Sequence, residues 1–283
     1  MDYVFCAGGI HRHEVCLSIW EDCEMSVIPP TPWGEAEIRG PVHLFRERLI
    51  LRMFLPMMPQ GGRVLDAGCG SGSLAMDLCK AGFRVDAVEF SSAFSETVRH
   101  KMSRYGSESR MTIQRASITQ LPFDDGEFDG LVCGEVLEHV TDDQGGDLAA
   151  LREFNRVLRP GAPCVATVPL NPKLWDHSDE WAGHVKRYRR REFVSLFSDH
   201  GFGVENVRTW GFPLGRIYHR ALFAPWIQST ADMDVVRRES RLDSRAAGNR
   251  RLVALAAGVF RFDELFSRWD WGRGVAVSAR RKP

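Results

Sequence analysis

The stretch Val64-Leu65-Asp66-Ala67-Gly68-Cys69-Gly70-Ser71-Gly72 restricts this chain more than any other. Arg63 to Ala67 is a short apolar run of strand length. Three glycines follow at alternate positions, and Ser73 to Ala81 reads as a helix with Gly82 past its end. Glycines in such a turn permit positive φ and let the backbone approach a ligand with no Cβ in the way. The helix N-terminus behind them favours a negative group such as a carboxylate.

The alternation continues downstream. Arg84 to Glu89 reads as a strand, and Ser91 caps a helix running to about Tyr105. Met111 to Gln114 is a weaker strand and Phe128 to Cys133 a stronger one. Leu148, Leu151, Phe154 and Leu158 mark a helix stopped by Pro160-Gly161, and Cys164 to Val168 is the next strand. A helix from Arg190 to about His200 stops at Gly201; Val204 to Trp210 and Gly274 to Ala279 read as strands. Such β-α-β alternation means a mainly parallel sheet covered on both faces. Ahead of it, Val42, Phe45, Leu49 and Phe54 recur near helical spacing from Pro41 to Leu55 and predict an amphipathic helix. The expected fold is α/β: a doubly wound, seven-stranded, Rossmann-like sheet with an N-terminal helical cap and a C-terminal lid insertion. Residues 1–60 form the cap segment, 61–170 the ligand-binding core, and 171–283 the remaining strands, helices and lid.

Composition narrows the class. The chain has 283 residues, of which 44% are hydrophobic, enough to bury a core. A formal net charge of zero weighs against a dedicated nucleic-acid binder. The seven cysteines are Cys6, Cys16, Cys23, Cys69, Cys79, Cys133 and Cys164; an odd number without a leader points to a reducing cytoplasm. No apolar run reaches membrane-spanning length. The nearest, Gly211 to Gln228, is interrupted by Arg216, His219 and Arg220 and is fit at most for a surface.

The spacing of the glycines discriminates between ligands. A dinucleotide fingerprint needs G-x-G-x-x-G because the pyrophosphate sits on the helix end. Here the pattern is D-x-G-x-G-x-G, with Asp66 at the strand tip and Glu89 ending the next strand, where a carboxylate accepts from both hydroxyls of a ribose. An acid beside the loop suits a ligand with an ammonium group and no phosphate, and S-adenosylmethionine has that chemistry. With Leu121-Pro122-Phe123-Asp124-Asp125-Gly126-Glu127-Phe128-Asp129, Glu135-Val136-Leu137-Glu138-His139-Val140 and Arg156-Val157-Leu158-Arg159-Pro160-Gly161, the sequence resembles the class I S-adenosylmethionine-dependent methyltransferases over residues 61–170. The resemblance implies that Asp66, Gly68, Gly70, Gly72, Glu89, Ser117, Ile118 and Glu135 hold the cofactor. In two places the chain departs from the family pattern: Ser117 stands where an acid often contacts the adenine, and Gly161-Ala162 replaces a glycine pair.

Methyl transfer to a hydroxyl needs alignment and a base. Glu135, Glu138 and His139 follow the fourth strand, at the end where doubly wound sheets bind ligands. A second cluster follows the fifth: Asp176, His177, Asp179, Glu180, Trp181, His184 and Tyr188. The E-x-x-E-H arrangement with a later histidine is similar to that of the small-RNA 3′-terminal 2′-O-methyltransferases, and ubiquinone-pathway O-methyltransferases have a similar Glu-rich segment. The resemblance implies a divalent metal on Glu135, Glu138, His139 and His184; otherwise His139 and His184 are candidate bases or substrate contacts, or His139 is scaffold. The expected activity is O-methylation of a small or medium biosynthetic intermediate. A metal-assisted RNA-terminus methyltransferase and a non-catalytic S-adenosylmethionine-binding module remain alternatives. Nothing in the sequence sets the oligomeric state.

Other residues carry less. Cys6, His11, His13 and Cys16 match no zinc template, Cys69 and Cys133 read as core fillers, and Lys186 to Arg191 reads as a solvated helix start rather than an anion clamp. Trp33, Trp175, Trp181, Trp210 and Trp226 are candidates for a substrate wall.

Overall fold

A computed structural model describes residues 40–230 and 250–283. Seven strands form a single sheet: β1 (Arg63–Ala67), β2 (Arg84–Glu89), β3 (Met111–Arg115), β4 (Gly130–Gly134), β5 (Pro163–Pro169), β6 (Phe202–Trp210) and β7 (Gly274–Arg281). Their spatial order is β3-β2-β1-β4-β5-β7-β6. The pairs among β1 to β5 are parallel, whereas β7 runs antiparallel to both β5 and β6. The order reverses between β1 and β4, so their carboxyl ends open a crevice where such sheets take ligands.

Strand alternation sorts the side chains to two faces. Val64, Val85, Val132 and Val165 pack against α1 (Pro41–Phe54), α2 (Ser73–Lys80) and α3 (Ser92–Tyr105). Leu65, Leu131, Cys133, Cys164 and Ala166 pack against α4 (Gly146–Val157) and α6 (Arg190–Asp199), with α5 (His177–Ala182) placed between β5 and α6 in the chain. The helix starts follow from local chemistry. Pro41 occupies the first turn of α1, where a missing N–H costs nothing. The Ser91 hydroxyl accepts from the Phe94 N–H to cap α3.

After β6 the chain forms α7 (Leu214–Tyr218), a π turn (His219–Phe223) and α8 (Ala224–Thr230). It re-enters the described residues at α9 (Arg250–Val259), which packs on α1 through Ala257, as does Phe260 of the 3-10 turns that follow. The cap helix expected at 41–55 is therefore present, but it lies on the sheet rather than standing apart from it. Half of the expected lid, 211–230, packs on α5 through Trp181, Phe223 and Trp226. Its other half lies outside the described residues, as do Cys6, His11, His13, Cys16, Cys23 and Trp33. Among the described residues no helix is long and apolar enough to cross a membrane.

Candidate active site

The glycine turn after β1 adopts the conformation its composition requires. Gly68 has φ +79°, and a Cβ there would sit 2.5 Å from Val136 Cγ2. Gly72, at φ +77°, is the N-cap of α2 and lies against Val98. Both positions combine a left-handed backbone with a close approach, so neither tolerates a side chain. The Gly68 and Cys69 N–H groups donate to Val88 O at 2.9 and 3.0 Å, and the Gly70 N–H donates to Glu89 Oε2 at 2.9 Å. Glu89 Oε1 accepts from Ser91 N–H at 2.8 Å. The carboxylate at the tip of β2 is thus fixed by two amides.

Asp66 is 1% exposed, and its Oδ2 has no hydrogen-bond partner. Burial, then the charges of Glu47 and Glu89, push its carboxyl up to about 8, against a backbone hydrogen bond from Ala75. Three carboxylates thus lie close enough to raise the pKa of Asp66, with His43 3.1 Å from Glu47 and Lys101 donating to Ser71 O at 2.9 Å beside the turn. An ammonium ligand answers this arrangement and an anionic one does not. Sequence reasoning missed Glu47. Its signal was a charged residue on the apolar stripe of α1, between Leu44 and Leu51, both buried.

The acceptor side begins at the tip of β4. Glu135 has φ +56°, an uncommon backbone conformation for a residue with a Cβ, and it pairs with Arg46 of α1 at 3.5 Å. Helical backbone begins only after it, as a 3-10 turn at Leu137–His139. Spacing along a helix therefore does not put Glu135 on the face of Glu138 and His139. Glu138, His139 and His184 do come together, with one ligand atom from each within 4.8 Å of the others, and Glu135 is not among them. Glu138 is fully buried with both carboxylate oxygens unpartnered; burial, then Glu135, push its carboxyl well above the usual range. The imidazoles of His139 and His184 meet edge to face at 4.9 Å.

The histidine tautomers follow from their partners. His184 Nδ1 lies 2.8 Å from Asp179 Oδ1, and His139 Nδ1 lies 3.1 Å from Gly183 O. A carbonyl only accepts. Asp179 is held ionised: burial pushes it up, but the bonds from His184 and Arg187 outweigh that and keep it below the usual carboxylate range. Both Nδ1 atoms therefore donate, and both Nε2 atoms offer a lone pair. His184 Nε2 is 3.8 Å from Glu138 Oε1. Burial, then the neighbouring His184, lower the pKa of His139 and keep it neutral. Val185 N–H donates to Glu138 O at 2.8 Å and ties the two loops together.

The remaining candidates divide. Ser117 follows β3 beside Glu89, but its hydroxyl is engaged by Thr119, with the Thr119 N–H donating to Oγ at 3.2 Å, so it serves the loop. Ile118 is buried next to it. The run 186–191 is a solvated helix start only at its end, where Arg189 caps α6 and is exposed with Arg191. Arg187 is buried and donates to Asp179 at 2.7 Å, and the buried Tyr188 donates to Asp147 at 2.8 Å. The buried role of Arg187 was missed because its carboxylate follows no periodic spacing, whereas Tyr188 was named with the cluster after the fifth strand. Trp210 is a core residue of β6 packed over Gly274, whereas Trp181 and Trp226 face each other between α5 and α8. Burial raises the thiols of Cys69 and Cys133 well above the ordinary cysteine value, as expected of fillers rather than nucleophiles.

Residues 65–166 match the methyltransferase domain family. That match supports a class I S-adenosylmethionine-dependent methyltransferase domain over this segment. It is 34% identical over 120 residues to 2-phytyl-1,4-naphtoquinone methyltransferase of Nostoc punctiforme, covering 40% of this chain and 50% of that protein. It is 30% identical over 175 residues to ubiquinone biosynthesis O-methyltransferase of Alkalilimnicola ehrlichii, covering 59% and 64%. The matched regions thus span about half to two thirds of these relatives. Among solved structures, the [4+2]-cyclase SpnF superposes with a TM-score of 0.59 at 18% identity, covering 86% of this chain and 82% of that one. At that identity the likeness shows the fold alone, and it shows a fold that also hosts other chemistry.

Proposed function

We propose that the chain transfers a methyl group from S-adenosylmethionine to a hydroxyl of a small or medium organic acceptor with an apolar part. The observation that carries this is the pairing of two unlike ends of one crevice. Asp66, Glu47 and Glu89 gather on the β1–β2 side, and His139, His184 and Glu138 on the β4–β5 side. On this reading Asp66 meets the cofactor's ammonium group and Glu89 its ribose hydroxyls. The printed name of the ubiquinone biosynthesis relative supports an oxygen acceptor, and that of the 2-phytyl-1,4-naphtoquinone relative a partly apolar one.

A hydroxyl holds its proton at neutral pH, so its oxygen attacks the methyl carbon only as a base takes the proton. His184 suits that role. Asp179 fixes Nδ1 as a donor, aims Nε2 and stabilises the imidazolium that forms, while the leaving pair goes to sulfur. His139 is held in the same sense by Gly183 O.

A divalent cation also fits. Glu138 offers two buried oxygens without partners, and each imidazole has its Nδ1 committed and its Nε2 available, the pattern of metal-ligating histidines. Such an ion on Glu138, His139 and His184 would lower the pKa of the acceptor hydroxyl.

The experiment is production of S-adenosylhomocysteine with dihydroxy-aromatic acceptors, before and after exhaustive chelation. Turnover supports the reading, and no product with any hydroxyl, amine or carbon acceptor overturns it. Loss on chelation with recovery on Mg²⁺ or Mn²⁺ assigns the three residues to a metal; full activity after chelation assigns His184 as a base.

A further inference from the structure

Away from the crevice, the helix formed by α9 and the 3-10 turns at Phe260–Phe266 is apolar on two sides. Its inner side buries Ala257 and Phe260 against Leu44, Phe45 and Leu49 of α1. Its outer side presents Leu255, Val259, Phe262 and Leu265, spaced by four, three and three, so they share a face. Leu255 is 66% exposed and Leu265 67%. The stripe runs on to Trp269 and Trp271, each about half exposed, whose rings stack at 5.4 Å and 11°. A surface helix needs only one apolar face to hold it to its own core. A second, continuous with exposed aromatic rings, costs solubility unless something covers it.

The charges around the stripe say what covers it. Arg220, Arg261 and Arg268 are exposed. Arg220 and Arg268 have no carboxylate partner among the described residues, and Arg216 lies over the Phe212 ring at 5.5 Å with its Nε lacking an acceptor. The carboxylates nearby are already engaged. Asp263 is buried and accepts from Leu214 and Gly215 N–H at 2.8 and 2.9 Å, Glu264 pairs with Arg52 at 2.5 Å, and Asp270 with Arg190 at 3.5 Å. Arg261 reaches Glu264 at 3.9 Å, so Arg220 and Arg268 are the cations left to an external anion.

We propose that this face docks the protein on an anionic lipid bilayer, with the helix lying in the interface plane. The stripe is the outside of one helix rather than a groove shaped for a partner's side chains. Ten α-helical residues and seven in 3-10 turns give a length of about 29 Å. Leucine and phenylalanine reach the acyl boundary, tryptophans settle at the headgroup level, and arginines meet the lipid phosphates. The aromatic end adjoins Arg273, whose guanidinium is 3.8 Å from Asp176 at the start of α5. Docking therefore brings the membrane to the side of the molecule that carries Asp179 and His184. The inference stands whether or not the chain turns over a methyl acceptor.

The test is co-sedimentation of the full chain with phosphatidylcholine vesicles, with and without about one-third phosphatidylglycerol. Binding at least tenfold stronger to the anionic vesicles is expected. It should fall by at least tenfold in the Leu255→Glu/Phe262→Glu double variant, which should still bind S-adenosylhomocysteine with unchanged affinity and so is folded. Brominated lipid should quench the tryptophan fluorescence of the parent chain, and less so that of a Trp269→Phe/Trp271→Phe variant. No binding to anionic vesicles overturns the proposal, as does equal binding by the double variant. A dimer in sedimentation velocity that the double variant abolishes also overturns it, because the face then belongs to a second copy.

Discussion

Asp66 makes cofactor binding depend on pH in a calculable way. Its carboxyl, pushed up to about 8 by burial and by Glu47 and Glu89, is mostly protonated at neutral pH in the free protein. An ammonium ligand needs it ionised. At about pH 7 that ionisation costs about 1.4 kcal/mol, so affinity for S-adenosylhomocysteine should be about tenfold weaker than above pH 8, and about a hundredfold weaker near pH 6. Titration calorimetry at about pH 7 in buffers of different ionisation enthalpy should show about 0.9 proton released per ligand bound. Asp66→Asn should flatten the pH profile, with the gap between parent and variant widening as pH rises. Linkage gives a second sign. The folded pKa is raised, so the free protein holds a proton that the unfolded chain has lost, and this group's contribution is lost as pH rises from about 4 through about 8. Asp66→Asn should therefore gain thermal stability relative to the parent near pH 9 and not near pH 5. Affinity that is independent of pH, with no proton release, would refute the reasoning.

Three further outcomes follow from the same geometry. Gly68→Ala meets both positive φ and the Val136 methyls, so cofactor affinity should drop at least tenfold, and adding Val136→Ala should restore only part of it in calorimetry. Asp179→Asn frees the His184 tautomer and leaves the buried Arg187 without its anion; kcat should fall more than tenfold with little change in cofactor Kd, and loss of cofactor binding instead would show a scaffold role. If 1–40 and 211–251 close over the acceptor, hydrogen exchange should slow in at least one of them when cofactor and acceptor bind, whereas protection confined to 61–170 would remove the lid.

The strands and helices were legible because each carries its own local signal: apolar runs of strand length, a Ser91 cap, Gly82 and Gly201 beyond helix ends. The error at β4 is instructive. Phe128 reads as strand, but it makes only an isolated bridge with Leu158, because the Asp129 side chain takes the Arg63 N–H at 2.8 Å where the ladder would begin. Regular pairing starts at Gly130. In the site, the conformation of the glycine turn and the place of Glu89 at the tip of β2 were readable, since both depend on neighbours in sequence. Arg46 and Glu47 were not, because α1 reaches the crevice only through tertiary packing. Arg187 looked solvated because nothing in its spacing announces that Asp179 will face it in the interior. Glu135 was placed in the metal set through a resemblance, but its left-handed backbone and its pairing with Arg46 leave it outside the cluster of Glu138, His139 and His184.

The account rests most heavily on Glu89. Its two oxygens are held by Gly70 and Ser91 amides and are aimed by β2 at the mouth of the crevice. Calorimetric binding of S-adenosylhomocysteine to the parent chain and to Glu89→Ala tests it directly. Two charge-assisted hydrogen bonds of about 1.5–3 kcal/mol each are removed, so binding by the parent and at least a tenfold weaker Kd in the variant are expected. The same Kd in both proteins would contradict the account.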